Sequence, residues 1–284
     1  MATPPQRFAF VFPLASGHLN PSLPVARLLV ELGHEVHYLC LEQMREAIEA
    51  TGAAFHSAVE HERELYEGRE PDMFGAGECL KREYGLQEGS FLEFLKVRNL
   101  MNELQMPGLL RWLRWLKPAV VVYCPILSAE AAKAAAVLGL PCVALLTVAG
   151  PGAAEGFWAE TLRQERTSFE DLDHAVRSFG PNAAAVRRLN AEHGLGLQPG
   201  VPRPMGRFDT LGLAALTLVT TAAELQDPMS PELARAYAAE GASFAAVGPL
   251  LDHAGAHRAG GHRANSPGGS PTRAGVLDGS AVLE

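Results

Sequence analysis

The feature that most constrains this chain is an alternation that recurs along it: a short apolar run, a loop, a helical stretch, then a second apolar run. The first copy opens with "RFAFVFP" at 7–13, a run of strand length. Asn20 and Pro21 fit a helix cap followed by proline at the first helical position. "SLPVARLLVEL" carries the helix on, and Gly33 stands where a left-handed C-terminal cap is expected. "EVHYLCL" at 35–41 is the next strand, "EQMREAIEATG" a second helix and "AAFHSAV" a third strand. The pattern returns with "AVVVY", "CPILS", a helix begun by Ser128 and ended by Gly139, and "PCVALL". It returns again from "LAALTLVTT" through "SPELARAYAAEG" to "FAAVGP". Strands separated by helices pair in parallel through right-handed crossovers. The expected fold class is therefore α/β, a Rossmann-like parallel sheet flanked by helices.

The segments between these units are less regular. Residues 60–89 are polar and glycine-rich and read as a surface excursion. Residues 91–118 are helical in character, with a break expected near Pro107. Trp112 and Trp115 lie three apart on one helix face, which reads as core packing with Arg111 and Arg114 at the rim. Residues 151–210 look mostly helical and loop-like, with "EDLDHAVRSFG" and "NAAAVRRLNAEHG" as two capped pieces. The expected domain spans 1–252. Residues 253–284 hold few large apolar side chains and many Gly, Ala, Ser and Pro, the composition of a flexible low-complexity tail.

Composition narrows the function classes. A net charge of -8 argues against a nucleic-acid partner, since such proteins usually carry a basic excess. Cys40, Cys79, Cys124 and Cys142 stand far apart without a CxxC pair, as free thiols in a reducing cytosol do. No secretory signal and no apolar run long enough for a membrane span is visible, so a cytoplasmic location is expected.

In an open α/β sheet, ligands collect beyond the carboxyl ends of the strands. His18 and Cys124 each lie just past a strand, which makes them site candidates. Gly17 allows close backbone approach of a ligand, and the positive end of the following helix favours a neutral, basic imidazole at His18. The first turn lacks both GxGxxG and GxxxxGK[ST], so a nucleotide is not expected there, and a nicotinamide-dependent enzyme is the weakest reading. No metal site is expected: His34 and His37 point to opposite faces, and His253, His257 and His262 fall in the tail.

"FVFPLASGHLNPSLPVARLLVELGHEV" resembles the opening of UDP-glycosyltransferases of the two-domain GT-B fold, especially the macrolide-type branch. "KPAVVVY" with "AAKAAAVLGLPCVAL" resembles a later strand-helix-strand of the same amino-terminal domain, and "LTLVTTAAELQ" and "FAAVGPLLD" the strands that close it. The resemblance implies the amino-terminal, acceptor-binding half of such an enzyme. It implies transfer of a hexosyl group from a UDP-sugar, a co-substrate, to a hydroxyl of a small lipophilic acceptor. His18 matches the family's general base, with Ser16, Gly17 and Asn20 shaping its surroundings. No cofactor is implied. Two departures stand out. The family's aspartate partner for the histidine is matched here by Cys124, and the donor-binding signature does not occur. The chain is accordingly expected to be truncated and weak or inactive by itself. Its exposed apolar face would then serve self-association or a donor-domain partner chain. A non-enzymatic acceptor-binding or auxiliary protein is the alternative reading.

Overall fold

A computed structural model describes residues 4–250; the tail expected at 253–284 lies outside the described residues. Seven strands form one sheet: β1 (Arg7–Val11), β2 (Glu35–Cys40), β3 (Ala54–Ser57), β4 (Val120–Tyr123), β5 (Cys142–Leu146), β6 (Leu216–Val219) and β7 (Phe244–Ala246). Their order is β3-β2-β1-β4-β5-β6-β7, and every neighbouring pair is parallel. The chain thus winds outward from β1 in one direction, then reverses and winds outward from β4 in the other. The α/β, Rossmann-like parallel sheet expected from the alternation is what forms.

Side chains on a strand alternate between faces, and this sheet buries both. Phe10, Phe12, Tyr38, Cys40 and Val122 pack against Leu23 and Ala26 of α2 (Leu23–Glu31) and Ala47 and Ile48 of α3 (Arg45–Glu49). The intervening residues Ala9, Val11, Leu39, Val121 and Tyr123 face the other layer. There α7 (Phe91–Leu116), α8 (Ala129–Leu138) and α12 (Pro231–Ala239) join the same core, with α11 (Gly180–His193) packed on α7. Among the described residues, no helix is long and apolar enough to cross a membrane.

Four local expectations need correction. Helical structure begins at Ser16, in α1 (Ser16–Leu19), and passes through a 3-10 turn (Asn20–Ser22) into α2, so Asn20 is a helical residue rather than a cap. The chain can turn so early because Ser22 and Tyr38 fasten it to β2: Ser22 Oγ donates to the Leu19 carbonyl at 2.7 Å and accepts from Tyr38 Oη at 2.8 Å. Second, α7 runs unbroken through Pro107. Proline removes one backbone hydrogen bond, but Met106, Leu109, Leu110 and Leu113 are all buried around it, and that packing outweighs the loss. Gly108 matters there, since a Cβ would lie 2.3 Å from the His61 carbonyl oxygen.

Third, residues 60–89 are no simple surface excursion. α4 (Ala58–His61), α5 (Arg63–Tyr66) and α6 (Gly77–Glu83), with the junction between the first two, bury Glu62, Leu65, Tyr66, Leu80 and Lys81. The apolar anchors are too sparse to print a helical period on a polar stretch. Fourth, Trp112 is 1% exposed but Trp115 is 63% exposed, so the pair does not act together as core.

Candidate functional site

The strand order reverses between β1 and β4, and the loops leaving these strands diverge there, opening the crevice where open α/β sheets hold ligands. Three residues converge at this point from the carboxyl ends of three adjacent strands. His18 follows β1, Cys124 follows β4 directly, and Thr147 follows β5 directly. Their contacts meet on one ring atom: His18 Nδ1 lies 3.0 Å from Thr147 Oγ1 and 3.4 Å from Cys124 Sγ. Nε2 is left without a hydrogen-bond partner among the described residues.

The ring is held firmly. α1 docks it against the sheet through fully buried Leu19, and the His18 amide donates to the Ala15 carbonyl at 3.0 Å. Burial lowers the affinity of the imidazole for a proton below its usual value. The helix terminus argued from the sequence gave the right sign, but desolvation is the cause. Burial also pushes the Cys124 thiol up to about 12, against the backbone N–H groups of Leu127, Ile126 and Ser128. At neutral pH the group beside His18 is therefore a neutral S–H, a weak hydrogen-bond partner that supplies no charge. Thr147 was invisible to sequence reasoning: a threonine after an apolar strand carries no signal until the register of β4 and β5 sets it beside the histidine.

His18 forms part of the wall of a cavity of about 540 Å³. Most of the lining is aromatic or aliphatic: Phe91 and Phe94 from α7, Phe157 and Trp158 from α9 (Ala153–Gln164), Phe169 at the start of α10 (Phe169–Ser178), and Ile126 beside Cys124. The rings brace one another, with Phe91 5.4 Å from Trp158 and 5.5 Å from Phe157 between centroids. This size and lining suit one drug-sized apolar molecule, which a few polar groups orient. The sequence reading missed this wall, because all its aromatics but Phe74 come from residues 91–210, where no motif marks them. Of the other expected site residues, Ser16, Gly17 and Asn20 do not line the cavity; Gly17 is exposed, and a Cβ there would meet nothing within 4 Å. Cys124 is fully buried and does not line the cavity, but it contacts His18, which does. No group of three or more His, Cys, Asp or Glu among the described residues is placed to hold a metal ion.

No family model matches the sequence, and no curated protein matches it. Solved structures do. The glycosyltransferase of kitacinnamycin is 21% identical, with a TM-score of 0.55, over 94% of this chain and 56% of that one. The calicheamicin glycosyltransferase CalG4 is 18% identical, with a TM-score of 0.57, over 95% of this chain and 56% of that one. The seven-stranded α/β fold is thus that of a GT-B glycosyltransferase half-domain, and the chain spans just over half the length of the structures it matches.

Proposed function

We propose that this chain is the acceptor-binding half of a glycosyltransferase, with His18 as general base. The observation that carries the reading is the position of the His18 ring, in the wall of a large apolar cavity at the point where the strand order reverses. In this reading the cavity holds a lipophilic small molecule with its hydroxyl at Nε2. Nε2 takes the hydroxyl proton as the acceptor oxygen attacks the anomeric carbon of a hexosyl group. The bond from that carbon to the nucleotide diphosphate breaks, and the diphosphate leaves with the electron pair. The UDP-sugar is a co-substrate, held by a donor-binding half, and no resident cofactor takes part.

For Nε2 to act, the proton of the neutral ring must sit on Nδ1. Thr147 Oγ1, 3.0 Å away, is the acceptor that can keep it there. Neither Thr147 nor the neutral Cys124 thiol supplies the negative charge that a carboxylate gives an imidazolium. That weakness favours a second reading, an acceptor-binding protein that does no chemistry.

One experiment separates the two. The purified chain is titrated calorimetrically with phenolic and macrolide acceptors, then incubated with UDP- and dTDP-sugars together with a separately expressed donor-binding half of a GT-B glycosyltransferase. Products are read by mass spectrometry for the wild type and for His18→Ala. Acceptor binding with product that vanishes in His18→Ala supports the transferase. Acceptor binding without product supports the binding protein. Absence of acceptor binding, or product that survives His18→Ala, contradicts the assignment of the cavity or of the base.

A further inference from the structure

The cavity is not uniformly apolar. Arg98 on α7 and Arg207 and Asp209 on the loop before β6 share its lining with His18. Their side chains are 19%, 24% and 23% exposed, a partial burial that is expensive for charges unless they are paired. The loop is fixed from below: Tyr123 Oη donates to the Thr210 carbonyl at 2.9 Å, and the Phe208 amide donates to Tyr237 Oη at 3.0 Å. Gly206 packs so closely on α9 that a Cβ would lie 2.6 Å from Glu155 Cγ. These polar groups are therefore held in place rather than draped over a surface.

Their pairing is incomplete. Arg207 Nη1 has Glu240 Oε1 at 2.9 Å. Burial alone would push Asp209 up, but Lys133, then Arg98 and Arg207, hold it below its usual value. The Lys133 ammonium is 2% exposed and makes no hydrogen bond, and Asp209 and Glu130 both offset it. Arg98 therefore shares the Asp209 charge with Lys133 and pairs with it only loosely. Its nearest anionic atom is Asp209 Oδ2, at 3.7 Å, beyond hydrogen-bond range, and the guanidinium makes no hydrogen bond among the described residues. An arginine with five N–H donors, permanently charged and mostly buried, thus borders an apolar cavity with none of those donors used.

We infer that the acceptor held in this cavity carries a carboxylate, or an equivalent anionic oxygen group, that binds Arg98. The substrate class is then an amphiphile: an apolar body against Phe91, Phe94 and Trp158, a hydroxyl at His18, and an anionic group on the guanidinium. A carboxylate matches the guanidinium fork with two parallel hydrogen bonds, which a neutral ester cannot reproduce. The inference rests on the cavity being the acceptor site.

The test uses a matched pair of fluorescent probes, 6-hydroxy-2-naphthoate and its methyl ester, titrated into the full chain. The acid is expected to bind at least about tenfold more tightly than the ester, and Arg98→Met to abolish that preference while leaving ester affinity within about twofold. Unchanged ester binding also shows that the variant is folded. Arg98→Lys keeps the charge but loses the fork, and is expected to retain part of the preference. Should the ester bind wild type as well as the acid, or the preference survive in Arg98→Met, the anionic-group inference fails and the acceptor cavity stands. Should neither probe bind, the acceptor reading fails with it.

Discussion

Replacing Cys124 by aspartate restores to His18 the charge that its surroundings lack. In the wild type, Sγ lies 3.4 Å from Nδ1 and stays neutral, because burial pushes the thiol up to about 12. A carboxylate in the same place would face the imidazolium across a similar gap. Two unit charges about 4 Å apart interact by about 4 kcal/mol gross at an effective dielectric constant of about 20. The position is fully buried, so desolvation of the new carboxylate removes a large part of that. A net rise of one to two units in the His18 pKa follows, or about 1.4 to 2.7 kcal/mol at about 1.36 kcal/mol per unit. The assay is a proton NMR titration of the His18 ring in both proteins. Wild type is expected to titrate below the ordinary value of 6.5, and Cys124→Asp above its own wild type by one to two units. A downward shift, or none, would refute the claim that the neutral thiol sets the weakness of this base. Where transfer is measurable, the same variant should raise the rate at neutral pH, since the carboxylate stabilises the ion pair formed as the proton moves.

Thr147→Val removes the oxygen that holds the Nδ1 proton, and the ring is expected to shift toward the tautomer protonated at Nε2, read by nitrogen-15 NMR. Gly108→Ala drives a methyl group to 2.3 Å from the His61 carbonyl oxygen, and urea unfolding should show a loss of about 1–3 kcal/mol. Glu130 is fully buried and raised to about 7 by that burial, so the folded state keeps its proton where the unfolded chain releases it. Stability contributed by the protonated acid is present below about 4.5 and lost as pH rises to about 7. Glu130→Gln should flatten that slope by about 3 kcal/mol in denaturation midpoints measured across this range. His18 acts at the same end of the scale with the opposite sign. Its lowered pKa makes the folded state lose stability as pH falls below about 6.5, and His18→Ala should abolish that component.

The parts of the fold that the sequence carries openly are those where local and tertiary signals agree. The units built on β1, β4 and β6 pair strand-length apolar runs with glycine-terminated or proline-led helices, and each forms, the first with its helical structure beginning earlier, at Ser16. Pro107 shows the limit. Its local rule says break, but four buried side chains around it belong to a packing problem that no short window contains. The segment at 60–89 fails for the opposite reason, since Leu65, Tyr66 and Leu80 are too few to outvote its polar neighbours. At the site, His18 and Cys124 were legible because each lies beyond the carboxyl end of a strand in a recognisable unit. Thr147 and Arg98 were not. One becomes a ring partner through the register of three parallel strands, and the other becomes conspicuous only when a mostly buried guanidinium proves to lack hydrogen bonds.

The central claim is that an acceptor hydroxyl meets His18 Nε2 inside the aromatic cavity. Nitrogen-15 NMR of the His18 ring during titration with 2-naphthol tests it most directly. The account predicts that Nδ1 carries the proton throughout and that the Nε2 resonance moves saturably as the naphthol hydroxyl donates to it. Saturable naphthol binding that leaves Nε2 unmoved, or a ring that holds its proton on Nε2 in the complex, would contradict it.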